Sequence, residues 1–296
     1  MGYYRHLRSR CSAGTHPISQ TPTDVKLLQE LILGLQPLAT IQHRLPTARL
    51  PAAIESLSLL LVSDLHVGSR PHDSLTAIDR LAGARPDLLI AAGDLVENER
   101  FTSDVGERLA RIDARFGAFA VWGNHDALGK PQRGAPGWLR DETRSLPNME
   151  AALAAHGIQT LTNRSVRLTV DGAPLQVVGT GDTHLGLCDL DAAFQDVDPT
   201  VFTVLVAHNP DTAFQLGQRR VDLTLSGHTH GGQISIPCLG PLTLRTRNHL
   251  PQPSGFMYVH GRPLVVSAGV GTVGVPLRLN APADVVALRL VRVGSH

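Results

Sequence analysis

Histidine, aspartate and asparagine side chains recur in five short clusters along the chain, and together they have the chemistry of a metal site. The clusters are Ser63-Asp64-Leu65-His66, Gly93-Asp94, Gly123-Asn124-His125-Asp126, His208-Asn209-Pro210-Asp211 and Gly227-His228-Thr229-His230. Carboxylate, imidazole and amide donors in one set suit borderline ions such as Mn, Fe, Co, Ni or Zn, whereas Mg or Ca alone prefers oxygen donors. The set is too large for one tetrahedral zinc ion, so two ions that share a bridging carboxylate account for it better.

Each cluster follows a short apolar run that predicts a buried strand. The five runs cover residues 57–62, 87–92, 118–122, 202–207 and 223–225. Open α/β sheets place ligand sites at the carboxyl ends of their strands, so the clusters are expected to meet. Side chains two residues apart share a face of an extended segment. Asp64 with His66, and His228 with His230, are therefore expected to point into one region.

The remaining pattern predicts a layered α/β domain over residues 54–296. Helices are expected over 73–82, 105–116 and 149–156, a hairpin over 166–170 and 175–179 around Asp171-Gly172, and strands over 256–259, 264–267 and 285–290. Residues 1–53 are expected to form an N-terminal extension with a short apolar helix over 27–41 and a linker around Pro46 and Pro51. That helix either packs on the domain or lies on a membrane surface.

The composition is that of a globular protein in a reducing compartment. The chain has 296 residues, 42% hydrophobic and 18% charged, which excludes a disordered chain. The formal net charge of +1 gives no general attraction to nucleic acid, and no nucleic-acid-binding module is evident. Three isolated cysteines, no secretory signal and no apolar run of about 18 residues favour a cytoplasmic location. Peripheral membrane contact through residues 27–41 stays open.

The ordered clusters resemble the calcineurin-like metallophosphoesterase superfamily over residues 57–236. The matching series is Asp64-x-His66, Gly93-Asp94, Gly123-Asn124-His125-Asp126, His208 and Gly227-His228-x-His230. Gly231-Gly232-Gln233 and the tail over 269–279 are similar to a narrower bacterial branch of small phosphodiesterase-type proteins, which includes UDP-2,3-diacylglucosamine pyrophosphatases. The resemblance implies a four-layer α/β/β/α sandwich of two mixed sheets.

The resemblance also implies a role for each site residue. The metal ligands would be Asp64, His66 and His230 for one ion, Asn124, His208 and His228 for the other, and Asp94 between them. His125 would not bind metal, but would act on the phosphoryl group and protonate the leaving oxygen as a general acid. Glu97 stands where the family often carries an Asp that orients this histidine, and Asp126 competes for that role. Asn124, His125 and Arg278 are expected to bind the substrate.

The activity implied by the resemblance is hydrolysis of a phosphoester, with a phosphodiester favoured, by a hydroxide that bridges two divalent ions. Manganese is favoured over iron or zinc. An alternative enzyme is a pyrophosphatase acting on a UDP-linked lipid precursor, which predicts an apolar groove beside the metal ions. An alternative of another class is a non-catalytic, metal-free scaffold of the same fold. Asp182 and His184, in a loop after the strand over 175–179, either line the substrate cleft or form a turn.

Overall fold

Two six-stranded mixed sheets face each other at the centre of the molecule. The computed structural model describes residues 38–68, 71–128, 145–242 and 244–294, and every element named below lies in those ranges. The strands are β1 (Ala39–Thr47), β2 (Ser56–Val62), β3 (Leu88–Ala92), β4 (Ala118–Val121), β5 (Ile158–Thr160), β6 (Arg164–Val170), β7 (Ala173–Gly179), β8 (Phe202–Val206), β9 (Leu223–Ser226), β10 (Ser235–Ile236), β11 (Gly240–Pro241), β12 (Gly255–Val259), β13 (Arg262–Val266) and β14 (Asp284–Arg292). The helices are α1 (Pro71–Asp79), α2 (Thr102–Ala110), α3 (Asn124–Leu128), α4 (Leu146–Ala154) and α5 (Leu190–Phe194), with 3-10 turns at Glu99–Phe101, Pro210–Phe214 and His230–Gly232.

The strand order brings the carboxyl ends of the site-bearing strands together. The first sheet has the order β1-β14-β2-β3-β4-β5, and β2, β3, β4 and β5 run parallel. The second sheet has the order β12-β13-β9-β8-β7-β6, and β13, β9, β8 and β7 run parallel. Parallel neighbours end at the same edge of a sheet. The loops after β2, β3 and β4, and those after β8 and β9, therefore lie beside one another within each sheet.

Apolar residues on both faces of the sheets create the four predicted layers. Ile90 and Val121 of the first sheet pack against the inner face of the second sheet, which contributes Val204 and Leu225. The outer face of the first sheet packs against α1, α2 and α4. The second sheet is covered by the short helix α5 and by the turn over residues 210–214. The predicted α/β/β/α sandwich of two mixed sheets is thus confirmed.

Several predicted elements occur with shifted ends. The hairpin of β6 and β7 turns at Asp171 and Gly172, whose φ angles of +46° and +81° suit a two-residue turn. The predicted end of the helix over 105–116 is wrong, because α2 ends at Ala110. The backbone N–H groups of residues 113, 115 and 116 donate instead to carbonyl oxygens of residues 84, 86 and 87. Pairing with that neighbouring loop replaces further helical hydrogen bonds.

The structure corrects the expectation for residues 39–47, which form β1 rather than the end of a helix and a linker. β1 pairs in parallel with β14 over all nine residues. Ile41 and Leu45 pack toward the core, and the even-numbered residues of β1 are exposed. The first sheet therefore includes residues expected to lie in the extension over 1–53. The rest of the predicted helix, before residue 38, lies outside the described residues. In the described ranges, no helix is long and apolar enough to cross a bilayer.

Candidate metal centre

Six of the seven predicted metal ligands form two adjacent groups. Within each group the candidate donor atoms lie within 4.8 Å of one another, and the groups are Asp64, His66 and His230, and Asp94, His208 and His228. Asp94 connects the two groups, because its Oδ2 atom lies 3.6 Å from His66 Nε2 and 3.3 Å from His208 Nε2. One carboxylate oxygen thus faces imidazole nitrogens of both groups.

Left-handed backbone, rather than extended strand, points these ligands inward. The φ angles are +51° at Asp64, +46° at His66, +52° at Asp94, +71° at His228 and +51° at His230. This conformation is costly for residues other than glycine and is concentrated at functional sites. The expectation that each i and i+2 pair shares the face of an extended segment is therefore wrong in its geometry. Asp64 and His66 do meet in one group, but His228 and His230 separate into two.

The first group is fixed by hydrogen bonds that leave its donor atoms facing inward. His66 Nδ1–H donates to Glu97 Oε1 at 2.7 Å, so His66 Nε2 is the nitrogen that faces the other ligands. His230 Nε2 lies 3.1 Å from His66 Nε2 and 3.4 Å from Asp64 Oδ1. The Ser63 hydroxyl donates to Asp64 Oδ2 at 2.6 Å and holds that carboxylate in place. Three lone-pair donors that converge in this way fit a divalent cation.

The second group is ordered by backbone carbonyls. His208 Nδ1–H donates to the carbonyl oxygen of Ala92 at 2.7 Å, which leaves the Nε2 lone pair to face the group. His228 Nε2–H donates to the carbonyl oxygen of Arg245 at 3.0 Å, which leaves Nδ1. These two remaining nitrogens lie 3.3 Å apart. Such bonds to the distal nitrogen select the tautomer that a metal requires.

Asn124, the seventh predicted ligand, begins α3 directly after β4. Its Oδ1 atom is buried and accepts no hydrogen bond. A buried amide oxygen without a partner costs free energy, and a bound cation would satisfy it. The donor types, their convergence and this unpaired oxygen together show that the residues fit a metal centre.

Glycines let the backbone approach the two buried carboxylates. A Cβ atom at Gly123 would collide with the Asp94 carboxylate, and one at Gly227 would collide with the Asp64 carboxylate. The glycine that precedes each of these ligand turns is therefore required by space. The clusters Gly-Asn-His-Asp and Gly-His-Thr-His gain a physical explanation from this contact.

Of the two candidate acidic partners, Glu97 contacts the His125 imidazole. Glu97 Oε1 lies 2.8 Å from His125 Nδ1 and also accepts the hydrogen bond from His66 described above. Asp126, the competing candidate, is fully buried and accepts hydrogen bonds from the backbone N–H groups of residues 95, 96 and 123. Asp126 therefore fixes the loops after β3 and β4. Burial and the nearby charge of Asp94 raise the pKa of Asp126 to about 6.

The protonation states of the site follow from competition between burial and charge. Burial alone raises the pKa of Glu97, but hydrogen bonds from His125 and His66 outweigh burial and lower it. Burial alone lowers the pKa of His125, but the charge of Asp94 and the hydrogen bond to Glu97 raise it overall. Burial and the neighbouring His208 lower the pKa of His228 to about 3. A neutral His228 is the form that binds metal.

The structure corrects the expectation that Arg278 binds substrate phosphate. Arg278 is only 1% exposed, and its guanidinium donates hydrogen bonds to backbone carbonyl oxygens. The acceptors belong to residues His230, Ala268, Gly269, Gly271 and Ala281. Burial lowers the pKa of Arg278 to about 10. Arg278 therefore connects the tail over 269–279 to the turn that contains His230 by hydrogen bonds.

Two further residues lie near the second group. Asp182 is buried, and its Oδ2 atom has no hydrogen-bond partner. His184 is exposed, and the centroid of its ring lies 5.9 Å from that of His228. The loop forms a turn, which was one of the two expectations for it, because the Leu185 N–H donates to Asp182 Oδ1.

The hydrogen bond from His228 to the carbonyl oxygen of Arg245 could not be predicted from the sequence, since any residue supplies a backbone oxygen.

Comparison with known proteins gives a family match over the same residues. The calcineurin-like phosphoesterase family model matches residues 57–232. The uncharacterized metallophosphoesterase YkuE of Bacillus subtilis is 26% identical over 263 residues, which cover 85% of each chain. The phosphodiesterase YaeI of Escherichia coli is 30% identical over 260 residues, covering 85% of this chain and 87% of the relative. The UDP-2,3-diacylglucosamine pyrophosphatase LpxG of Chlamydia muridarum is 29% identical over 241 residues, covering 69% and 72%.

The shared carboxylate gives a first testable prediction. Asp94→Asn keeps the shape of the side chain but removes the negative charge that faces both groups. We expect at least half of the bound divalent metal to be lost, measured by mass spectrometry of the manganese-loaded protein after desalting. The exposed Asp104→Asn in α2 is the matched control. Full metal occupancy in Asp94→Asn would contradict a metal-binding role for the carboxylate that faces both groups.

Proposed function

This chain belongs to the calcineurin-like phosphoesterase family, and from that premise we propose that it is a dinuclear metal-dependent phosphodiesterase. The observation that carries the proposal is the Asp94 Oδ2 atom, which faces His66 of one ligand group and His208 of the other. Similarity to a protein named as a phosphodiesterase supports the diester over other phosphoesters.

The two ligand groups would hold the ions, and Asn124 Oδ1, which accepts no hydrogen bond, would complete the second group. Manganese fits this mixture of imidazole, carboxylate and amide donors better than magnesium. When bound, two such ions activate water as a nucleophile and offset the charge on phosphate oxygens. The protein supplies rigid positions, because each ligand lies within four residues of the end of a strand.

His125 is the group that acts on the leaving oxygen. Its side chain is 16% exposed, whereas the side chains of the ligands His66, His208 and His230 are at most 4% exposed. His125 can therefore reach a substrate that those ligands meet only through the ions. Because Nδ1–H donates to Glu97, Nε2 is the nitrogen that carries a proton to the departing alkoxide.

Glu97 couples the ligand His66 to the acid His125. One carboxylate oxygen accepts from both imidazole Nδ1 atoms, at 2.7 Å and 2.8 Å. The two rings are thereby fixed edge-to-face, with centroids 4.7 Å apart. Glu97 is a positioning residue, since it orients both rings and raises the pKa of His125.

A second candidate function is pyrophosphatase activity on a UDP-linked lipid precursor. It is supported by the similarity to the UDP-2,3-diacylglucosamine pyrophosphatase of Chlamydia muridarum. The same metal centre would serve either reaction, so only the substrate separates them. A metal-free scaffold of the same fold is disfavoured by the complete set of ligands and by the unpaired Asn124 oxygen.

A substrate and metal screen tests the proposed function. We expect bis-(p-nitrophenyl) phosphate to be hydrolysed faster than p-nitrophenyl phosphate, with cyclic nucleotides and UDP-2,3-diacylglucosamine assayed in parallel. A chelator should abolish turnover, and Mn²⁺ should restore it better than Mg²⁺ because imidazole ligands disfavour magnesium. Faster hydrolysis of UDP-2,3-diacylglucosamine than of bis-(p-nitrophenyl) phosphate would favour the second candidate function. Better restoration by Mg²⁺ would contradict the manganese assignment.

Removal of the proposed acid separates chemistry from metal binding. We expect His125→Ala to retain its manganese and to lose about 10²- to 10⁴-fold in kcat on a diester with a poor alkoxide leaving group. The loss should be smaller with p-nitrophenolate, which departs without a proton. His156→Ala is the control, because the His156 ring contacts Ser103 of α2 and none of the candidate ligands. Loss of one metal equivalent in His125→Ala would show that His125 is a ligand.

Neutralising the Glu97 carboxylate tests its role in orienting His66 and His125. Glu97→Gln keeps the length of the side chain but cannot accept from two imidazole N–H groups with a charged oxygen. We expect kcat or metal affinity to fall about 10- to 100-fold, as is usual for residues that orient metal-bound histidines. Glu107→Gln, on the exposed face of α2, is the matched control. Unchanged kinetics and metal content would exclude the positioning role.

A further inference from the structure

An apolar groove opens beside the first ligand group. It has a volume of about 120 Å³, and His230 and Thr229 lie at its inner end. Ile234, Leu242 and Val275 supply apolar walls. The groove is therefore continuous with the candidate metal centre, since the turn that carries His230 belongs to both.

Large apolar side chains extend the groove onto the surface. Leu242 is 63% exposed and Val275 is 55% exposed, and both line the groove. A single exposed leucine is ordinary, but a set beside a binding site indicates an apolar ligand or partner. These residues come from two separate segments, one containing β10 and β11 and the other the tail over 269–279.

A buried glutamine fixes the two segments against each other. Gln233 Nε2–H donates to the carbonyl oxygens of Val273 at 3.0 Å and Val275 at 2.9 Å, and its Oε1 accepts from the Val273 N–H. The Leu242 N–H donates to the carbonyl oxygen of Ile234 at 3.0 Å. The groove walls are thus held by hydrogen bonds before any ligand arrives, which lowers the cost of binding.

The groove is lined by polar residues next to the candidate metal centre and by apolar residues farther from it. Among the described lining residues, Arg245 carries the permanent positive charge, and its carbonyl oxygen also orders His228. A ligand with an anionic head at the ions and an apolar tail matches this gradient. A volume of about 120 Å³ is slightly below the roughly 150 Å³ of an apolar cavity that accepts benzene, so it fits a few methylene groups.

We propose that this groove binds the alkyl or acyl substituent of the phosphoester substrate. The proposal rests on the proposed function, because the phosphate of the same molecule would lie at the metal centre. Its occupant is one end of the substrate rather than a bilayer, since the groove continues from the metal ligand His230. Each buried methylene group strengthens binding by about fourfold, so a hexyl chain is expected to contribute at least about 30-fold.

The test compares two diesters that differ only in chain length, methyl p-nitrophenyl phosphate and hexyl p-nitrophenyl phosphate. With the manganese-loaded full chain, we expect kcat/KM to favour the hexyl ester by at least about 30-fold. Leu242→Asp places a charge in the groove and should reduce that preference to less than about threefold. Val293→Asp, exposed after β14 and away from the groove, should leave the preference unchanged.

Binding measurements separate failure of this proposal from failure of the proposed function. Equal kcat/KM for the two esters would overturn the groove assignment and leave the phosphodiesterase standing. If neither ester is hydrolysed, calorimetry decides, because hexyl phosphate should still bind at least about 30-fold more tightly than methyl phosphate. Binding to phosphatidylglycerol vesicles that is lost in Leu242→Asp, with no preference for chain length, would assign the surface to a membrane and overturn the proposal.

Discussion

The buried carboxylate of Asp94 is the constraint on which the rest of the site depends. Asp94 is 2% exposed, and a charge buried this deeply is costly unless opposite charges and hydrogen bonds compensate it. One of its oxygens accepts the backbone N–H of His125, and the other faces His66 and His208. Gly123 gives the carboxylate room. The turn after β3, the start of α3 and the imidazoles around them are all arranged about this group.

The site also joins the two sheets to each other. The His208 imidazole, which follows β8 in the second sheet, donates to the carbonyl oxygen of Ala92 at the end of β3 in the first sheet. The His228 N–H, after β9, donates to the Asp64 carboxylate after β2. Residues from both sheets therefore define the candidate metal centre. Each ligand group contains residues that follow strands of both sheets. The apolar layer between the sheets therefore sets the distances between donor atoms within each group, and core packing becomes a determinant of the site's geometry.

The layers and the convergence of the candidate ligands were predictable because both leave local traces in the sequence. Burial on both faces produces continuous apolar runs, and metal binding selects Asp, His and Asn after them. The left-handed turns at the ligands left no trace, since the residues that adopt them are not glycines. The edge strand β1 depends on β14 at the other end of the chain. The position of Arg278 near a glycine-rich tail suggested phosphate binding, but its guanidinium is buried against the carbonyl oxygen of His230, 48 residues away, which no local pattern reveals.

The segment between β9 and β12 combines two tasks that usually lie on separate parts of a protein. It supplies the candidate ligands His228 and His230, and a few residues later it supplies Ile234 and Leu242 to the groove. Gln233 connects these parts to the tail that Arg278 fastens behind the metal centre. On the proposed function, binding of an apolar substituent would therefore act on the same turn that holds a metal ligand. Binding energy gained away from the phosphate then serves to position the reacting group, which is how remote contacts raise the rate of a reaction.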